Sequence, residues 1–103
     1  MGGRKARLFV KRPVIIEAFQ FGYDEEPSWF AAKHIVITDN PKTGKRELKG
    51  CIETLEGEAW FWEGDYVIRG VKGELYPCRR DIFEEIYDEV IDSISCQLML
   101  FVI

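Results

Sequence analysis

The sequence predicts a single α+β domain. A small twisted antiparallel β-sheet or partly open barrel is expected to carry a short helix near 27–32 and a C-terminal helix from about 81. Three observations lead there. Between residues 35 and 78, turn residues recur every 7 to 10 positions with short β-branched or aromatic runs between them, the pattern of a meander or small barrel. Pro27 stands where a helix tolerates proline, at its first position, and Ser28 to Ala32 follow it. From Asp81 onward, Ile82, Phe83, Ile86, Tyr87, Val90, Ile91, Ile94 and Leu98 recur at helical spacing.

The elements follow in order. Leu8–Val10 and Val14–Phe21 are rich in Val, Ile and Phe and read as strands. In the second run Ile15, Glu17, Phe19 and Phe21 share one face, while Val14, Ile16, Ala18 and Gln20 share the other. Apolar residues on both faces near its start predict a central position, with Pro13 at a strand start or edge. Gly22 to Pro27 is a loop, after which Trp29 and Phe30 are expected to plug the short helix into the core. Ile35–Thr38 and Arg46–Thr54 flank the turn cluster Asp39 to Lys45 and form a hairpin with a basic tip. Leu55 to Glu58 turns into Ala59–Trp62, Glu63 to Asp65 into Tyr66–Arg69, and Gly70 to Gly73 into Glu74–Tyr76. Asp81 with Glu84 three positions on reads as a capping box. The apolar segment 91–103 suits either a continued helix or a strand, and serves either packing on the sheet or a dimer seam.

With 103 residues there is room for one domain, taken as 1–103. A content of 47% hydrophobic and 14% aromatic residues excludes a disordered chain. The net charge of -4 argues against a nucleic-acid partner, which usually calls for a basic surface. Charge is uneven, about +4 over residues 1–50 and -8 over 51–103. Arg4, Lys5, Arg7, Lys11 and Arg12 precede the first acid and read as a solvated strand edge, the alternative being an acid-binding surface. Together with Lys42–Lys49 they make the one stripe that DNA would use. Three cysteines, Cys51, Cys78 and Cys96, have neither an even count nor metal spacing and fit a reducing compartment. The longest apolar run, Leu98–Ile103, is too short to span a bilayer, and no signal peptide is readable.

Chemistry-bearing residues are sparse. Gly57, Gly64, Gly70 and Gly73 lack the strand-to-long-helix setting of a phosphate loop and read as turn glycines. Asp65 reads as a turn aspartate bonding nearby N–H groups. Trp60 and Trp62 share a strand face and form either a core wall or a stacking platform for a ring or base, with Arg69 or Lys72 as cationic neighbours. Arg79 and Arg80, beside Cys78 at the start of the last helix, offer guanidinium forks to an anion, but Asp81 as the cap competes with that anion for the same donors, and Glu84 or Glu85 can pair with the arginines instead. His34, the single histidine, lies far from Cys78 in sequence, so no nucleophile–base pair, metal set or cofactor motif is readable.

Lys11 to Phe21, Ile52 to Gly57, Gly64 to Cys78, and Asp81 to Glu84 with Tyr87 resemble a family of small phage and prophage proteins, the PGDYG type, named for its Gly-Asp-Tyr turn. The resemblance covers about residues 11–90, and Glu63 stands where the family name has proline. It implies a phage-derived accessory protein in the cytoplasm of a bacterial host and carries no site residues. The expected function is therefore non-enzymatic: binding a host protein or self-association. The alternative is a small-molecule or nucleotide binder, of the kind that sequesters a defence signal, that uses Trp60, Trp62, Arg69, Arg79 and Arg80. The alternative needs an exposed tryptophan beside an arginine and fails if both tryptophans are buried; the leading reading draws on the sparse polar chemistry, the acidic half and the apolar tail.

Overall fold

Runs of β-branched and aromatic residues between turn residues do become strands, and they account for almost all the regular structure. The computed structural model describes residues 3–90. Its elements are β1 (Glu17–Gln20), β2 (His34–Asp39), β3 (Arg46–Thr54), β4 (Gly57–Trp62), β5 (Tyr66–Arg69), β6 (Leu75–Cys78) and α1 (Arg80–Ile86). They make two three-stranded antiparallel sheets, β1–β5–β6 and β2–β3–β4. The α+β expectation is thus corrected: the described part is nearly all sheet, with one seven-residue helix.

Each misplaced element has a physical cause. Residues 27–32 form no helix; Pro27 to Phe30 is a turn, closed by the Phe30 N–H donating to the Pro27 carbonyl at 3.1 Å. A short helix needs tertiary packing to offset nucleation, and here the aromatic rings reach the core from the turn itself. Phe19 meets the Trp29 and Phe30 rings edge-on, at 5.7 and 4.8 Å between centroids.

The C-terminal helix starts at Arg80 and stops at Ile86, where Tyr87 adopts extended backbone. No basic residue lies in its last turn, and Asp88 and Glu89 follow where a helix prefers cations. Continuation through 91–103 lies outside the described residues. The capping box does not form: Asp81 binds Arg79 and the Ile82 N–H, while Glu84 accepts the Tyr66 hydroxyl at 3.1 Å.

The first strand also differs from expectation. Leu8–Val10 is not a strand, and Val14–Phe21 contributes only Glu17–Gln20, at the edge of its sheet rather than its centre. Its single partner is β5, on which Phe19 lies opposite Val67.

The inner faces of the two sheets enclose the core. Phe19, Phe21, Ile52, Phe61 and Val67 are buried together, with Trp29, Phe30, Leu48 and Leu75 packed around them. The opposite face of β5 carries Ile68, also buried. There α1 covers the sheet through the stack Tyr66–Phe83–Tyr87, at 3.9 and 4.7 Å between ring centroids.

One turn ties the two sheets together. Gly64 takes φ +93°, a conformation that side chains with a Cβ resist. Its N–H donates to the Phe21 carbonyl at 2.7 Å, and the Phe21 N–H donates to the Asp65 carbonyl at 2.8 Å. The Asp65 carboxylate accepts the Trp62 N–H at 2.9 Å and the Arg80 N–H at 3.3 Å. Glu63 bonds β3 twice, through its N–H to the Leu48 carbonyl and its carboxylate to the Leu48 N–H.

Candidate aromatic–cation platform

Strand alternation and register assemble the candidate site on the outer face of β2–β3–β4. His34 lies opposite Cys51, which lies opposite Trp60; Val36 lies opposite Lys49, which lies opposite Trp62. A small residue on the middle strand lets its larger neighbours close above it. His34 and Trp60 stack at 5.9 Å between centroids, with planes 7° apart. Cys51 is left fully buried beneath them.

Lys49 fills the next row. Its Nζ stands 5.2 Å from the Trp60 ring centre and 4.9 Å from that of Trp62, within cation–π range of both. Trp62 is half-buried, whereas Trp60 is 47% exposed.

At the next row Glu53 and Glu58 lie directly opposite, an unfavourable like-charge pair. Lys33 bridges both carboxylates. Its hydrogen bond and charge hold the Glu58 carboxyl below the usual carboxylate range, and Glu58 in turn raises the Lys33 ammonium.

Burial pushes the Cys51 thiol up, and the Glu58 charge adds to the effect. The thiol is therefore a poor nucleophile under a closed lid. In native protein at pH 7.5, peptide mapping after iodoacetamide treatment should leave Cys51 unmodified, and His34→Ala should admit the reagent.

Of the residues singled out in the sequence, Trp60 and Trp62 share this face, and the three arginines lie elsewhere. Arg69 sits on β5 and pairs with Glu17 at 3.3 Å. Arg79 forks onto Asp81. Arg80 pairs with Glu84 at 3.7 Å and lies over the Tyr23 ring. Each has its own carboxylate, and none joins Trp60. Lys49 and His34 take the positions beside the indoles. Their signal was the alternation of Arg46–Thr54 against Ala59–Trp62, which only the turn at Leu55–Glu56 aligns.

Apart from this face, a concavity of about 1270 Å³ runs between residues 13–20 and the α1 end of the described chain. Val14, Ile16, Trp29, Phe83, Ile86 and Tyr87 are among its lining. Among the described residues there is no group of three His, Cys, Asp or Glu placed to hold a metal ion, and no helix long and apolar enough to cross a membrane. Comparisons with protein-family models, with curated proteins and with solved structures give no match.

Proposed function

We propose that the protein is a non-enzymatic accessory protein that docks onto a host protein through the outer face of β2–β3–β4. One observation carries this reading: Trp60 leaves nearly half its surface in water while Lys49 and His34 hold its ring in place. A rigid, part-exposed indole loses little freedom on binding, and tryptophan is enriched among residues that dominate interfaces. The face is a sheet surface, and neither Trp60 nor Trp62 lines the concavity beside residues 13–20. Small ligands favour concave sites that enclose them, so a flat aromatic face favours a protein partner. A phage origin and a bacterial cytoplasmic setting rest on the likeness of the Gly64 to Phe83 block. The alternative, a nucleotide or other aromatic small molecule, draws support from the Lys49 ammonium beside an open stacking face.

The test compares wild type with Trp60→Ser. Both are immobilised, exposed to lysate of phage-infected bacteria, and analysed by quantitative mass spectrometry. The variant should keep the wild-type circular dichroism spectrum, while a specific host protein falls about 30-fold, the loss of a typical interface hot spot. Nucleotide-dependent quenching of tryptophan fluorescence, with no protein lost from the variant, would favour the small-molecule reading. Equal capture by both proteins would end the role of this face.

A further inference from the structure

Strand β2 lies at the edge of its sheet, with β3 as its one partner. Proteins usually blunt such an edge with charge, proline or a bulge. Here Ile35, Val36 and Ile37 run consecutively and are 46%, 43% and 62% exposed.

Two contacts fix which backbone groups of β2 point outward. The Asn40 N–H donates to the Lys45 carbonyl, making the pair that continues the β2–β3 register a hydrogen-bonded one. The Glu63 N–H donates to the Leu48 carbonyl, so Leu48 bonds toward β4 and Lys49 toward β2. Alternation along antiparallel strands then turns Val36 and Thr38 toward β3, and Ile35 and Ile37 outward. Arg46 reaching the Ile37 carbonyl at 3.5 Å agrees, since that oxygen lies outside the ladder.

We infer that β2 pairs with β2 of a second copy of this chain, antiparallel about a two-fold axis at Val36. This register places Ile35 opposite Ile37 of the other copy, so both pairs join through their outward N–H and C=O groups. The four isoleucines then meet on one face, and the two Val36 side chains meet on the other. The strand ends are complementary: Lys33, which bridges Glu53 and Glu58, stands before β2, and Asp39, paired with Arg46 at 3.6 Å, closes it, so antiparallel pairing brings each copy's Lys33 cluster beside the other copy's Asp39. A β2 paired parallel, or slipped by two residues, loses either the isoleucine contacts or this charge match. The product is a continuous six-stranded sheet. Its two Trp60 platforms face the same way, five strand spacings or about 24 Å apart across the sheet and offset by four residues along it. The inference is independent of what Trp60 binds.

Sedimentation equilibrium of the full chain at about 1–100 μM tests it, with two variants. Ile37→Pro removes an outward donor without touching the β2–β3 ladder, and an edge strand tolerates proline there. It should keep the circular dichroism spectrum and raise the dimer dissociation constant at least about tenfold, because both copies lose a donor. Val36→Cys, with Cys78→Ser and Cys96→Ser, should form an intermolecular disulfide under mild oxidation. Thr38→Cys in the same background should not, because its neighbour across the axis is His34. A monomeric wild type, a dimer indifferent to Ile37→Pro, or equal crosslinking at Thr38 and Val36 would overturn the inference.

Discussion

Gly50→Ala should destabilise the protein by about 2–3 kcal/mol, the upper part of the range for overpacked cores. A Cβ at Gly50 would stand 2.6 and 2.7 Å from two Phe61 ring carbons and 3.3 Å from a Phe21 ring carbon. Neither ring has room to yield, because both are buried and pack edge-on to each other at 4.9 Å. For a domain of this size the melting temperature should fall by about 10 °C or more. The cause is open to a double-mutant cycle. Phe61→Leu alone should also destabilise, by removing packing. Combined with Gly50→Ala it should cost less than the sum of the single changes, because leucine frees the space that the methyl needs. Strict additivity in urea unfolding would mean that the ring contact is not the reason.

Asp65→Ala should cost about 2–4 kcal/mol, and Asp65→Asn about half as much. The carboxylate accepts two backbone N–H groups, those of Trp62 and Arg80, and bonds to a charged acceptor are worth about 1.5–3 kcal/mol each. Alanine loses both acceptors. Asparagine keeps one oxygen and turns an amide toward the other donor. Circular dichroism melts of the three proteins should rank wild type, Asn, Ala in falling order. A near-neutral Asp65→Ala would show that the turn holds without its side chain.

Hairpins with local turn chemistry were legible in the sequence. Arg46–Thr54 and Tyr66–Arg69 appear with the same bounds in the structure, because Gly and Asp punctuate them and each has a partner next along the chain. Tertiary placement was not legible. Val14–Phe21 has the composition of a central strand, yet β1 is an edge. Its partner is set by the Phe21–Gly64–Asp65 backbone bonds, which no local pattern announces. Helical spacing after Asp81 was real but short-lived, since the spacing ignores the acids that follow the last turn. At the candidate site, the shared face of Trp60 and Trp62 follows from alternation alone. Their cation had to wait for the β3–β4 register, so nearby arginines in sequence stood in for Lys49.

The antiparallel join of β1 to β5 has a consequence in time. β2, β3 and β4 are linked by six- and two-residue connections, so that sheet closes by short loops. β1 pairs through Gln20 with Tyr66, and closing that span carries a larger entropy loss before any contact forms. During synthesis at about 5–20 residues per second, β1 waits roughly 2–9 s for its partner to be made. Phe19 and Phe21 belong to a core that is not yet there for that interval. Of the described strands β1 is made first, yet it cannot pair until β2, β3 and β4 have been made and β5 has followed them.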